Sequence, residues 1–218
     1  MTLLKSSEVF DHFGSAHQVS ERTFFGLLAF FVTYGLAGTA LVADYMMGTT
    51  FNPGTIVSLI LGLAIPIAGI FVSQSDKWFI SFIGYNMVLL PFGVILGPAL
   101  RETDPDLIRN VAGITAMVTV IMGASGVMFP RFYSQIGGAL FIALLGLVGV
   151  RILQIFVPAL DFTWIDYISA GIFSLYIGYD MHRATRVERT VDNAVDIAIS
   201  LYLDILNLFL SLLSASRD

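Results

Sequence analysis

Cysteine is absent from this chain of 218 residues, so disulfides and thiolate metal sites are excluded and the redox compartment cannot be read from it. Charge is scarce as well. Asp, Glu, Lys and Arg make up 12% of the residues, about half the ~25% usual in a soluble globular domain. The three histidines, His12, His17 and His182, lie outside the cores of the apolar runs, and there is no His-Glu-x-x-His motif and no phosphate-binding glycine-rich loop. Residues Met1 to Arg22 lack the basic, apolar and cleavage-site order of a removable signal peptide, so they read as a retained tail. What remains is apolar. Hydrophobic residues make up 56% of the chain and the mean hydropathy is +0.84. Such a chain needs lipid around it. At about 20 apolar residues per bilayer crossing, its length holds seven spans with short loops and no further domain. The net charge of −5 says little in such a chain, and no nucleic-acid partner is expected.

Apolar runs at about 23–45, 55–74, 78–100, 108–129, 137–160, 164–183 and 194–213 give seven candidate spanning helices in an all-α membrane protein. The organisation expected is a tail (1–22), a seven-helix transmembrane domain (23–213) and a short C-terminal tail (214–218). Breaks are expected at Gly48–Gly54, Ser73–Lys77, Arg101–Asp106, Pro130–Gln135 and Pro158–Asp161. Pro66, Pro91 and Pro98 fall inside spans two and three and predict kinks there. Cations are enriched in cytoplasmic loops. One side carries seven of them (Lys5, Arg22, Lys77, Arg131, Arg183, Arg186, Arg189) and the other three (Arg101, Arg109, Arg217), which places the N-terminus in the cytoplasm. The outer side carries Asp44, Glu102, Asp104, Asp106, Asp161 and Asp166 instead. They read mainly as solvated loop acids, and secondarily as an acidic entrance that concentrates cations.

The last span carries the strongest signal. Its polar residues, Asp196, Ser200, Asp204, Asn207, Ser211 and Ser214, recur at steps of 4, 4, 3, 4 and 3 and form one helical stripe. A helix that is otherwise apolar must turn that stripe toward protein or water, which places it at the bundle centre. For the serines, ordinary interhelical hydrogen bonding is the simpler reading. Asp204 is different, because a carboxylate in mid-membrane costs several kcal/mol unless it is paired, hydrated or protonated. Its expected partner is Asp180, near the cytoplasmic end of span six. A hairpin turning near Asp192 and Asn193 puts each Asp about 11 or 12 residues from the tip, hence at similar depth at ~1.5 Å per residue. Two carboxyls in reach of each other in low dielectric share a proton and titrate as one unit, which makes a pH sensor. Deprotonated, the pair repels itself or binds a hard cation such as Ca2+ through its oxygens, and protonation removes that site. The bland alternative is a protonated pair that only packs.

Arg151 lies within span five, one turn before Gln154, and needs an anion or an aqueous cavity. Asp166 and Asp44 are its candidate partners, and an ion pair that locks helices is the simpler role. Asp196 reads as a solvated residue at a helix N-terminus, and His182 as a solvated boundary histidine. Gly123-Ala-Ser-Gly126 looks like the Gly-x-Ser-Gly nucleophile motif of rhomboid intramembrane proteases. Ser125 then needs a histidine base, and small residues at this spacing more often serve helix packing, so no enzymatic activity is expected.

Ser174-Leu-Tyr-Ile-Gly-Tyr-Asp180 and the stretch from Ser200 to Leu213, Ser-Leu-Tyr-Leu-Asp-Ile-Leu-Asn-Leu-Phe-Leu-Ser-Leu-Leu, resemble the last two helices of the Bax-inhibitor-motif (transmembrane Bax inhibitor) family. Gly93-Val-Ile-Leu-Gly-Pro98 is similar to the family's third-helix pattern, and Ala215-Ser-Arg-Asp218 resembles the tail of a bacterial branch. The resemblance implies seven helices with the seventh central. It also implies a calcium leak that is sensitive to pH, gated by Asp180 and Asp204 and larger at acidic pH, with Ca2+ as the transported ion and no cofactor. A bacterial inner membrane is the implied location. Some bacterial members carry an arginine near the end of the second helix that latches the first aspartate. Here Lys77 is the only cation in that stretch, and it lacks the bidentate fork. A bacterial branch also binds and modulates a membrane-anchored ATP-dependent protease, and the tail Met1–Arg22 suits that alternative.

Overall fold

The computed structural model describes residues 18–75, 77–157 and 164–217. Lys5, His12, His17, the loop acid Asp161 and most of the N-terminal tail lie outside the described residues. Within them the structure is helical, with no strand. Seven rods follow one another: α1 (Glu21–Met47), α2 (Thr55–Ser73), α3 (Trp78–Leu100), α4 (Pro105–Met128), α5 (Pro130–Phe156), α6 (Trp164–Ala184) and α7 (Val191–Ala215). Six of these, α1 to α5 and α7, are long and apolar enough to cross a membrane. The other, α6, sits where a span was expected but is less apolar, because Asp166, Asp180, His182 and Arg183 are carried on it. Among the six, α7 is the most buried: 61% of its apolar window is covered, against 39% or less in the rest.

The largest departure from the sequence reading is the start of α5, expected near 137 and found at Pro130. The stretch Pro130–Gln135 is therefore helix and not a break. Proline at the first helical position loses nothing, since its missing N–H would have had no partner there. Phe129 alone separates α4 from α5. The turn before α7 is displaced too. It occupies residues 185–190, because Thr190 opens α7 by accepting the Asn193 N–H at 3.1 Å. Asp180 is then four residues from the end of α6 and Asp204 thirteen residues into α7.

The helices fall into two compact units. In the first, α3 packs against α1 and α2, and small residues let backbones touch. A Cβ on Gly97 would lie 2.5 Å from the Ala43 carbonyl oxygen, and one on Gly84 would lie 2.5 Å from that of Gly69. Tyr85, fully buried, donates to the Phe31 carbonyl at 2.8 Å. Tyr202 of α7 belongs to this unit and reaches the Thr39 hydroxyl at 2.7 Å. Thr39 passes its own proton to the Leu89 carbonyl at 3.3 Å. Pro66 does not simply kink α2. A proline here cannot bond the carbonyl four residues back, and just before it the helix widens into a π turn over Ile60–Ala64, with the Ile65 N–H donating to the Ile60 carbonyl. α3 runs as one helix through Pro91 and Pro98.

The second unit holds α4, α5, α6 and the half of α7 from Leu203 onward. α6 packs against both α4 and α5. The closest approach is at Gly126, where a Cβ would lie 2.1 Å from the Gly178 carbonyl oxygen. Gly178 in turn leaves room for the Tyr133 ring, whose hydroxyl would be 2.2 Å from a Cβ there. The polar stripe of α7 meets α6 inside this unit.

Candidate functional site: a polar seam between α6 and α7

Asp180 and Asp204 are both buried, 5% and 8% exposed, and stand close enough to act on one another electrostatically. Two ionised carboxylates repel at such a separation, and a proton held between them would remove the repulsion. Oδ2 of Asp204 is buried and meets no donor among the described residues. Arg183, one turn beyond Asp180, acts on that carboxyl through its charge. Tyr176, one turn before Asp180, lies close enough to feel both carboxyls. The sequence reading missed this phenol, although its spacing of four from Asp180 puts it on the same helical face.

The remaining stripe residues divide. Ser211 shares a hydrogen bond of 2.6 Å with Ser169 of α6. Ser214 donates to Asp166 Oδ2 at 2.7 Å. Ser200 and Asn207 instead bond their own helix, at the carbonyls of Asp196 (3.3 Å) and Leu203 (2.7 Å). Asp196 is half-buried in the second turn of α7. Three of the six predicted positions, Asp204, Ser211 and Ser214, thus join α7 to α6.

Of the two partners considered for Arg151, the structure supplies Asp166. Arg151 also reaches Gln154 at 3.3 Å. Asp166 is 5% exposed, and so is no solvated loop acid. Asp104 and Asp106 are, the first accepting the Asp106 N–H at 2.9 Å at the start of α4 and the second pairing with Arg109 at 2.6 Å. His182 departs from expectation as well: it is buried, with Nδ1 lacking a partner among the described residues. Gly126 lets α4 close over it, since a Cβ there would stand 3.1 Å from the His182 backbone nitrogen. Ser125 donates to the Met122 carbonyl at 2.7 Å and receives the Tyr133 hydroxyl at 2.6 Å, so its hydroxyl serves packing of α4 on α5. Lys77 is exposed and opens α3, its carbonyl accepting the Ile80 N–H at 2.8 Å. Among the described residues there is no cluster of three or more His, Asp or Glu side chains able to hold a metal ion. The Asp180–Asp204 pair offers carboxylate oxygens from two residues only, where a Ca2+ storage site takes six to eight oxygens.

Apolar helices of spanning length, with buried carboxyls paired across one seam, define a polytopic α-helical membrane protein. The chain belongs to the family described as inhibitor of apoptosis-promoting Bax1, which it matches over residues 21–216. It is 30% identical to an uncharacterized membrane protein of Vibrio cholerae, over 91% of this chain and 88% of that protein. An uncharacterized protein of Helicobacter pylori is 33% identical over 55% of this chain, and the match spans about half, 51%, of that relative's length. A membrane protein of Streptococcus pyogenes is 36% identical over 106 residues, 45% of this chain and 46% of its own.

Proposed function

We propose that this protein is a seven-span membrane protein that leaks Ca2+ down its gradient in a pH-dependent manner, with Asp180 and Asp204 as the gate. The single observation carrying the reading is that two buried carboxyls from neighbouring helices stand close to one another, with Asp204 Oδ2 lacking a donor among the described residues. A shared proton makes a charge-assisted O–H···O− bond, about twice as strong as a neutral one. A second proton converts it to a neutral contact, α6 and α7 lose their strongest tie, and the leak rises as pH falls. With carboxylates from only two residues on offer, the ion is held weakly, which suits passage more than storage. In this reading α6 spans despite its acids, α7 runs at the centre of the bundle as its burial suggests, and the N-terminus is cytoplasmic.

The test is Ca2+ flux into liposomes containing purified protein, measured against pH. The wild type passes Ca2+ with a rate that increases toward acid, and Asp204→Asn passes Ca2+ at a rate independent of pH. An unaltered pH profile in that variant removes the pair from the mechanism.

A second reading, an adaptor for a membrane-anchored protease, is favoured by one contact. The Val19 N–H donates to the Arg189 carbonyl at 2.7 Å, and Arg189 pairs with Glu21 at 2.9 Å. A partner that holds the tail thereby pulls on the segment leading into α7. Deleting residues 1–18 abolishes partner capture and preserves Ca2+ flux if the tail serves binding alone.

A further inference from the structure

We infer that Arg151 is a movable cover over the far end of the α6–α7 seam, and that Asp166, once uncovered, becomes the acid at which cations enter it. The inference rests on the leak reading for its physiological sense, but its geometry stands on separate residues. Polar contacts link α6 to α7: Asp166 with Ser214, the Tyr167 hydroxyl with the Ala215 carbonyl, Ser169 with Ser211, and, facing each other, Asp180 and Asp204. Asp166 and Asp180 are fourteen residues apart on α6, and Ser214 and Asp204 ten apart on α7. These are about 21 and 15 Å of helix axis at ~1.5 Å per residue, so the first contact stands well away from the proton-sharing pair. Ser169 and Ser211 lie between them and are buried, 3% and 5% exposed.

The two halves of the ion pair differ in mobility. The Asp166 side chain is 8% exposed and is held a second time by Ser214. The Arg151 side chain, on α5, is 41% exposed and ends a long flexible stem. Arg151 is therefore the half that can swing outward while Asp166 stays in place. With Arg151 in place, its charge cancels the carboxylate and repels cations. With Arg151 swung away, an anion stands at the head of a row of hydroxyl oxygens, an arrangement that draws hard cations.

Because the chain has no cysteine, a single Ser211→Cys substitution gives a unique thiol inside the seam. Its modification in nanodiscs is followed with a cationic and an anionic methanethiosulfonate reagent of similar size. With Arg151 intact both reactions are slow. Adding Arg151→Gln speeds the cationic reagent at least tenfold and the anionic one much less, whereas Arg151→Lys stays slow with both. Equal acceleration of the two reagents, or none, in a variant with an unchanged melting temperature overturns the inference. Ca2+ flux is read on the same proteins. Charge-selective labelling together with a wild type that passes no Ca2+ sinks the leak and leaves the cover standing. Flux without charge-selective labelling does the reverse.

Discussion

Replacing Gly126 with alanine tests how tightly α4 and α6 are held. The added methyl would sit 2.1 Å from the Gly178 carbonyl oxygen, where ordinary contact begins at 3.4 Å, so the two helices must separate by about 1.3 Å. The obstacle is backbone, which no rotamer change relieves. Overpacking of this kind costs about 1–3 kcal/mol. Alanine also gains about 0.8–1 kcal/mol of helix propensity over glycine, so the proper reference is Gly138→Ala on α5, where a Cβ meets nothing within 4 Å. The propensity gain cancels between the two variants. The Gly126 variant is expected to melt about 2–12 °C below the Gly138 variant, taking ~2–4 °C per kcal/mol for a chain of this size. The assay is thermal unfolding of purified protein in detergent. If the two variants melt within about 1 °C of each other, the backbone contact does not bind α4 to α6 and the argument from Gly126 is refuted.

Thr39→Val leaves the buried Tyr202 hydroxyl without its acceptor and is expected to cost about 1–3 kcal/mol; adding Tyr202→Phe restores part of the loss, as a double-mutant cycle of melting temperatures will record. Arg101 donates to the carbonyls of Met46 and Met47 in the last turn of α1 and of Thr49 and Phe51 just beyond it. Arg101→Ala is expected to lower the melting temperature by a few degrees, about 1–2 kcal/mol, since the contacts are charge-assisted but exposed. Glu21→Gln removes the Arg189 ion pair, 65% and 44% exposed, and is expected to change stability by about 1 kcal/mol or less, vanishing at high salt. Loss of the pH response of Ca2+ flux in Asp204→Asn completes the set, with the wild-type leak falling as pH rises.

Much of this was legible in the sequence because a membrane makes burial obvious. A 20-residue apolar run has few alternatives to a spanning helix, and each of the seven rods lies where such a run was read. The expectation that Asp180 and Asp204 face each other came from the cost of an isolated carboxylate in lipid, which directs attention to a partner on a neighbouring helix. The same reasoning offered Asp166 and Asp44 to Arg151, and the structure supplies Asp166. Local signals served less well where one residue type has opposite meanings. Pro130 reads as a breaker but starts a helix. The turn before α7 was misplaced because Asp192 and Asn193 are good turn residues, yet Thr190 caps first. Ser200 and Asn207 share the stripe's periodicity, but a hydroxyl or amide on a helix can always bond its own backbone. Spacing cannot tell those from the positions that reach across.

The π turn of α2 has a consequence for chain length. Such a turn holds one residue more than an α-helical turn needs, and it lies between a loosely covered stretch, Thr55–Leu59, and the stretch through Gly69 and Ser73 that touches the α3 backbone. Removing one residue from 60–64 would rewind that turn as ordinary α-helix and rotate the outer stretch by about 100°, while the inner contacts keep their register. Homologues one residue shorter at this point are expected to lay the same face of α2 on α3.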